Sequence, residues 1–106
     1  MASHFEAAWG KVRTAIVPGS TIRNWSAAKG YTGGAFQIDA VDGSSVSVSG
    51  GAMRARRRVS KGDFAKIFAV WDEYAAGNFS RSRMLPLSQN STYILSILHI
   101  ALPDGP

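Results

Sequence analysis

Arg54, Arg56 and Arg58 occupy alternate positions, and Arg81 and Arg83 repeat that spacing further along the chain. A guanidinium is a planar fork that holds a phosphate or carboxylate through two parallel hydrogen bonds. In an extended strand, alternate residues share one face about 7 Å apart, close to the separation of successive phosphates along a nucleic-acid strand. The five arginines are therefore the candidate phosphate-backbone contacts, with Trp25, Tyr31 or Phe79 to stack on bases if the strand is single. The same alternation has another reading. A charged outer face keeps a sheet from pairing with another sheet, and Arg56 can reach over Ser45 to Asp39 for a purely local pair.

Other chemistries lack their residues. There is no Ser/His/Asp or Cys/His set and no pair of carboxylates at a working spacing, so the expectation is a protein that is not an enzyme. With no cysteine and only His4 and His99, a zinc site has little to be built from, and no cofactor is expected. The glycines of 27–34 (AAKGYTGG) read as a turn-rich loop, since neither Gly-Lys-Ser/Thr nor G-x-G-x-x-G follows; Lys29 and Tyr31 are its candidate exposed contacts. Twelve Lys and Arg against seven Asp and Glu give a net charge of +5, and arginine supplies most of the cations. That balance leans towards an anionic partner while staying within the range of an ordinary solubilising surface.

The elements that must position these arginines follow from periodicity. Ser60 and Asp63 have capping spacing, Phe64, Ile67, Phe68, Trp71, Tyr74 and Ala75 recur on one helical face, and Gly77 supplies the stop. A single long helix over Ser60–Gly77 is expected, with an aromatic stripe to bury. Ser3 and Glu6 open an earlier helix carrying Phe5, Trp9, Val12 and Ile16 to about Val17. His4, in its first turn, is given no role. A last helix begins at Asn90 or Ser91 and is apolar nearly all round, with Thr92, Ser96 and His99 as its polar stripe. Its apolar circumference suggests a subunit contact, and His99 is expected to bond to Ser96 or a backbone carbonyl.

From Ala35 to Val59 the period becomes two. A loop at Val41–Gly43 would set Ile38 opposite Val46 and Phe36 opposite Val48, and a Gly50-Gly51 turn would set Val48 opposite Met53 and Val46 opposite Ala55. Both turns place the same residues inside. Outside would lie the rows Gln37, Ser47, Arg54 and Asp39, Ser45, Arg56, with Arg57 pointing inward and snorkelling out or pairing with Asp72 or Glu73. Thr21–Trp25 is a short edge strand by the same pattern. The connection over 78–89, with Arg81 and Arg83, is expected to lie beside the arginine strand and enlarge one basic surface.

The segments Gly77–Arg83 and Ser88–Leu98 resemble small bacterial proteins associated with mobile elements, including integron gene cassettes. That resemblance brings no catalytic residues; it implies a bacterial protein whose neighbours act on DNA. The sequence therefore leads to an α+β fold in a single domain over 1–106: an N-terminal helix, a three- to four-stranded antiparallel meander, and two C-terminal helices packed on one sheet face. With neither a leader-like start nor a membrane-length apolar run, a cytoplasmic protein is expected. Its expected partners are nucleic acid, through Arg54, Arg56, Arg58, Arg81 and Arg83, and a second copy through the C-terminal helix. The alternative function is a homodimeric protein-interaction module.

Overall fold

The computed structural model describes residues 4–51, 55–84 and 86–102, with the side chain of Arg81 excepted. Helix α1 (His4–Ala15) leads into strands β1 (Thr21–Ser26), β2 (Gly30–Val41), β3 (Ser45–Ser49) and β4 (Arg57–Ser60). Helices α2 (Lys61–Phe68), α3 (Trp71–Ala75) and α4 (Ser91–Ala101) follow, with a 3₁₀ turn at Arg81–Arg83 before α4. The strands form one antiparallel sheet in the order β1-β2-β3-β4, so β1 and β4 are its edges. The α+β architecture is as expected, with four strands.

Ile22, Phe36, Ile38, Val46, Val48 and Val59 point to one side of the sheet and are buried against the helices in one apolar cluster. Helix α4 lies along β1 and α2 beside β4, while α1 touches both helices. Trp9 fixes α1 to the strands: its Nε1 donates to the carbonyl of Gly43 at 3.2 Å, and its ring meets Phe64 edge-on at 5.2 Å. Thr21, Arg23, Gln37, Ala40, Arg58 and Ser60, on the other side, are all exposed. Among the described residues no helix covers that face.

The register differs from the expected one at both turns, while Phe36, Ile38, Val46, Val48 and Val59 stay inside. Asp42 closes the β2–β3 turn by accepting from the N–H groups of Ser44 (2.7 Å) and Ser45 (2.8 Å), which moves the loop to 42–44. An irregularity at Asp39 then sets Ile38 opposite Val48 and Val41 opposite Val46. At the next turn, β4 begins only at Arg57, with Val48 opposite Arg57 and Val46 opposite Val59. The expected pairing of Val48 with Met53 falls partly outside the described residues, and Ala55 is exposed rather than inside. The slip from Ala55 to Val59 opposite Val46 is even, so alternation still sends the same parity inward.

Gly51, just after β3, has no room for a side chain. Its φ is +60°, and a Cβ on it would lie 2.5 Å from the carbonyl oxygen of Ala35, a backbone atom. Replacing Gly51 with alanine should cost about 2–3 kcal/mol from left-handed strain and displacement of β2. Gly43, whose added Cβ would meet nothing within 4 Å, should accept alanine within about 0.5 kcal/mol. Urea denaturation of the two variants checks the contrast; equal midpoints would contradict it.

The expected long helix is two. Ser60 caps α2, its Oγ accepting from the N–H of Asp63 at 3.1 Å, and Gly77 (φ +84°) ends α3 with Asn78 N–H bonded back to Glu73 at 2.8 Å. Between them Val70 leaves helical geometry at φ −117°, ψ 13°. The aromatic stripe has two destinations, which explains the break. Phe64 and Phe68 meet Trp9 and Phe5 of α1, whereas Trp71 and Tyr74 meet Trp25 of β1 at 6.0 and 6.2 Å. The expected loop over 27–34 also differs: Gly30–Gly34 extends β2, with a register shift opposite Asn24 where Gly33 takes φ +94°.

Candidate nucleic-acid interface

The uncovered sheet face is built in cross-strand rows. Thr21, Gln37 and Ser49 form one row, Ala40, Ser47 and Arg58 another, and Ser45 faces Ser60. These replace the expected rows, because the bulge at Asp39 and the late start of β4 move each partner. Arg58 is exposed; its Nε donates to Ser45 Oγ at 2.9 Å, and Ser45 Oγ donates in turn to Asp42 Oδ2 at 3.1 Å. This chain aims the guanidinium across the sheet, and its terminal nitrogens take no hydrogen bond among the described residues. Hydrogen bonds from Ser44 and Ser45, led by the Ser44 N–H, hold the Asp42 carboxyl below its usual value, so it stays an acceptor.

Arg56 precedes β4 and is partly occupied. Its Nε sits 3.2 Å from Asp39 Oδ2, with the Arg side chain 69% exposed and the Asp side chain 16% exposed. The pair is at ion-pair distance without hydrogen-bond alignment, since Oδ2 has no hydrogen-bond partner. Such a half-exposed pair contributes about 0–1 kcal/mol. Of the three alternating arginines, Arg54 lies outside the described residues, Arg56 is off the strand, and only Arg58 is in it. Among the described residues, Arg56 and Arg58 therefore do not share one strand.

Arg83 does not lie beside β4 as expected, and the side chain of Arg81 lies outside the described residues. The guanidinium of Arg83 lies 4.2 Å from the ring centroid of Phe79, and Phe79 lines a cleft with the β1–β2 turn, at the sheet edge opposite β4. Arg57 snorkels as one expected alternative had it. Its partners are Asn90 Oδ1 at 3.3 Å and the ring of Tyr93 rather than Asp72 or Glu73.

Arg23 is the cation that sequence reasoning passed over. It is exposed beside Ala35 on the open face, with its guanidinium 4.3 Å from the Tyr31 centroid. The signal was present: Ile22 inside the edge strand forces Arg23 outside. Tyr31 is 48% exposed, as expected of a surface contact. Trp25 and Phe79 are not offered to bases, because Trp25 is packed between α3 and α4 and Phe79 is 9% exposed.

His99 does not bond to Ser96. Ser96 Oγ donates to the Thr92 carbonyl and accepts from the N–H of Trp25 at 3.0 Å, tying α4 to the β1 edge. The His99 ring stacks on Trp25 at 4.0 Å with 5° between planes, and Tyr31 meets it edge-on. Burial lowers its pKa from the ordinary 6.5. The unfolded chain then takes up the proton first as pH falls, so His99 contributes stability above 6.5 that is lost as pH drops through its lowered value. His99→Gln should remove that part of the pH dependence. The check is urea midpoints at about pH 7.5 and 5; the same drop in the variant would contradict it.

No family model, curated protein or solved structure matches the chain. Among the described residues no three His, Cys, Asp or Glu side chains are grouped to hold a metal ion, and no helix is long and apolar enough to cross a membrane.

Proposed function

We propose that this protein is a non-catalytic binder of the nucleic-acid phosphate backbone, working in the bacterial cytoplasm in a mobile-element setting. The observation that supports the reading is the uncovered sheet face, where Arg23, Arg56 and Arg58 stand among Thr21, Gln37, Ser47 and Ser49, with Asp39 the one carboxylate in an ion pair with them among the described residues. Arginines and hydroxyls suit phosphate oxygens and read no base edge, so binding is indifferent to sequence and weakens with salt. A second copy docked through α4 draws no support from its burial. Ile94, Leu95, Ile97 and Leu98 are at most 1% exposed and Leu102 5% within the single chain, so of the apolar residues that suggested a partner Ile100 alone is half-buried.

Asp39 sets a test. Asp39→Asn removes the carboxylate that holds Arg56, so affinity for a mixed-sequence oligonucleotide should rise roughly threefold to tenfold and the log–log salt slope should steepen by about one contact. Fluorescence anisotropy at several salt concentrations measures both. An unchanged slope and affinity would count against the open face as the binding surface.

A further inference from the structure

A cleft of about 440 Å3 opens between the β1–β2 turn and the segment after α3, away from the sheet face. Ala27 and Ala28 line it on the side of the turn and Gly77 and Phe79 on the side of that segment, together with Tyr74, which is 2% exposed. The hydroxyls of two lining residues are in the same state. Tyr74 Oη accepts from the N–H of Ala27 at 3.1 Å, and Ser26 Oγ, on a residue 7% exposed, accepts from the N–H of Lys29 at 3.2 Å. Each keeps its own hydrogen, which finds no acceptor among the described residues. An acceptor entering the cleft would find both hydrogens unclaimed by the protein. Lys29 adds a cation at the lip and no carboxylate lines the cleft.

We infer that this cleft binds a small planar organic anion, its negatively charged oxygens taking the hydrogens of Tyr74 and Ser26 and the charge of Lys29, its ring lying between Ala27 and Phe79. The volume is in the range of small-ligand sites, and apolar walls with a few convergent donors are their usual composition. Aromatic carboxylates and nucleoside monophosphates share this chemistry. The inference is independent of the sheet-face proposal, because none of these residues lies among the open-face arginines.

Isothermal titration of the full chain with phenylacetate and, separately, with adenosine 5′-monophosphate tests it. At least one probe should bind in the millimolar range or better. Binding of phenylacetate alone assigns a carboxylate ligand, of the nucleotide alone a phosphate ligand, and of both the shared ring and anion. Tyr74→Phe keeps the ring that packs on Trp25 and Trp71 and should weaken binding about tenfold. Lys29→Gln, an exposed change that leaves the fold intact, should weaken binding and flatten its salt dependence. If neither probe binds below about 10 mM, or if a bound probe keeps its affinity in both variants, the inference is overturned.

Discussion

Replacing Trp71 with alanine is expected to cost about 3–5 kcal/mol and to lower the melting temperature by roughly 15 °C or more. Trp71 is 2% exposed and contacts Trp25 at 6.0 Å and Tyr74 at 6.3 Å, so with Tyr74 it joins α3 to the sheet edge through Trp25. Truncation leaves a cavity with rigid rings around it, which collapses poorly. The loss would be a large share of the stability of about 5–15 kcal/mol usual for a domain. Trp71→Phe offers a graded control. The indole Nε1 is buried without a partner, so phenylalanine gives up area but also removes an orphan donor, and should cost clearly less than alanine. An alanine variant that melts within a degree or two of the parent would contradict this placement.

The inside of the protein was legible because alternation and helical period depend on parity and not on register. Val46 and Val48 are buried whether the turn lies at 41–43 or 42–44, and the slip along β4 was even. Partners across the sheet were not legible. They depend on the Asp42 side chain closing its own turn, which a pattern of apolar residues does not encode. The break at Val70 was hidden for a related reason: a stripe that is continuous in one straight helix gives no sign that its halves have different partners. For α4, counting apolar residues suggested a second copy, yet β1 and α1 cover them. Its polar residues were read as a stripe on the helix surface when Ser96 and His99 instead hold Trp25.

The arginines were legible as residues and not as a site. Arg56 was readable as a local pair with Asp39, and the structure makes that pair. Arg83 belongs to another edge through Phe79, and Arg23 enters the face from the strand opposite Arg58. The surface that results spans the sheet from β1 to β4 rather than following one strand. A backbone bound there would cross the strands.

The central claim is tested most directly by the double variant Arg23→Gln, Arg58→Gln, measured by anisotropy against two unrelated oligonucleotides over a series of salt concentrations. Both arginines are exposed, so the melting temperature should move little. Binding to the two sequences should weaken about equally, and the slope of log affinity against log salt should flatten by roughly 1.4–1.8, two contacts' worth. An unchanged slope with unchanged affinity would contradict backbone binding by this face.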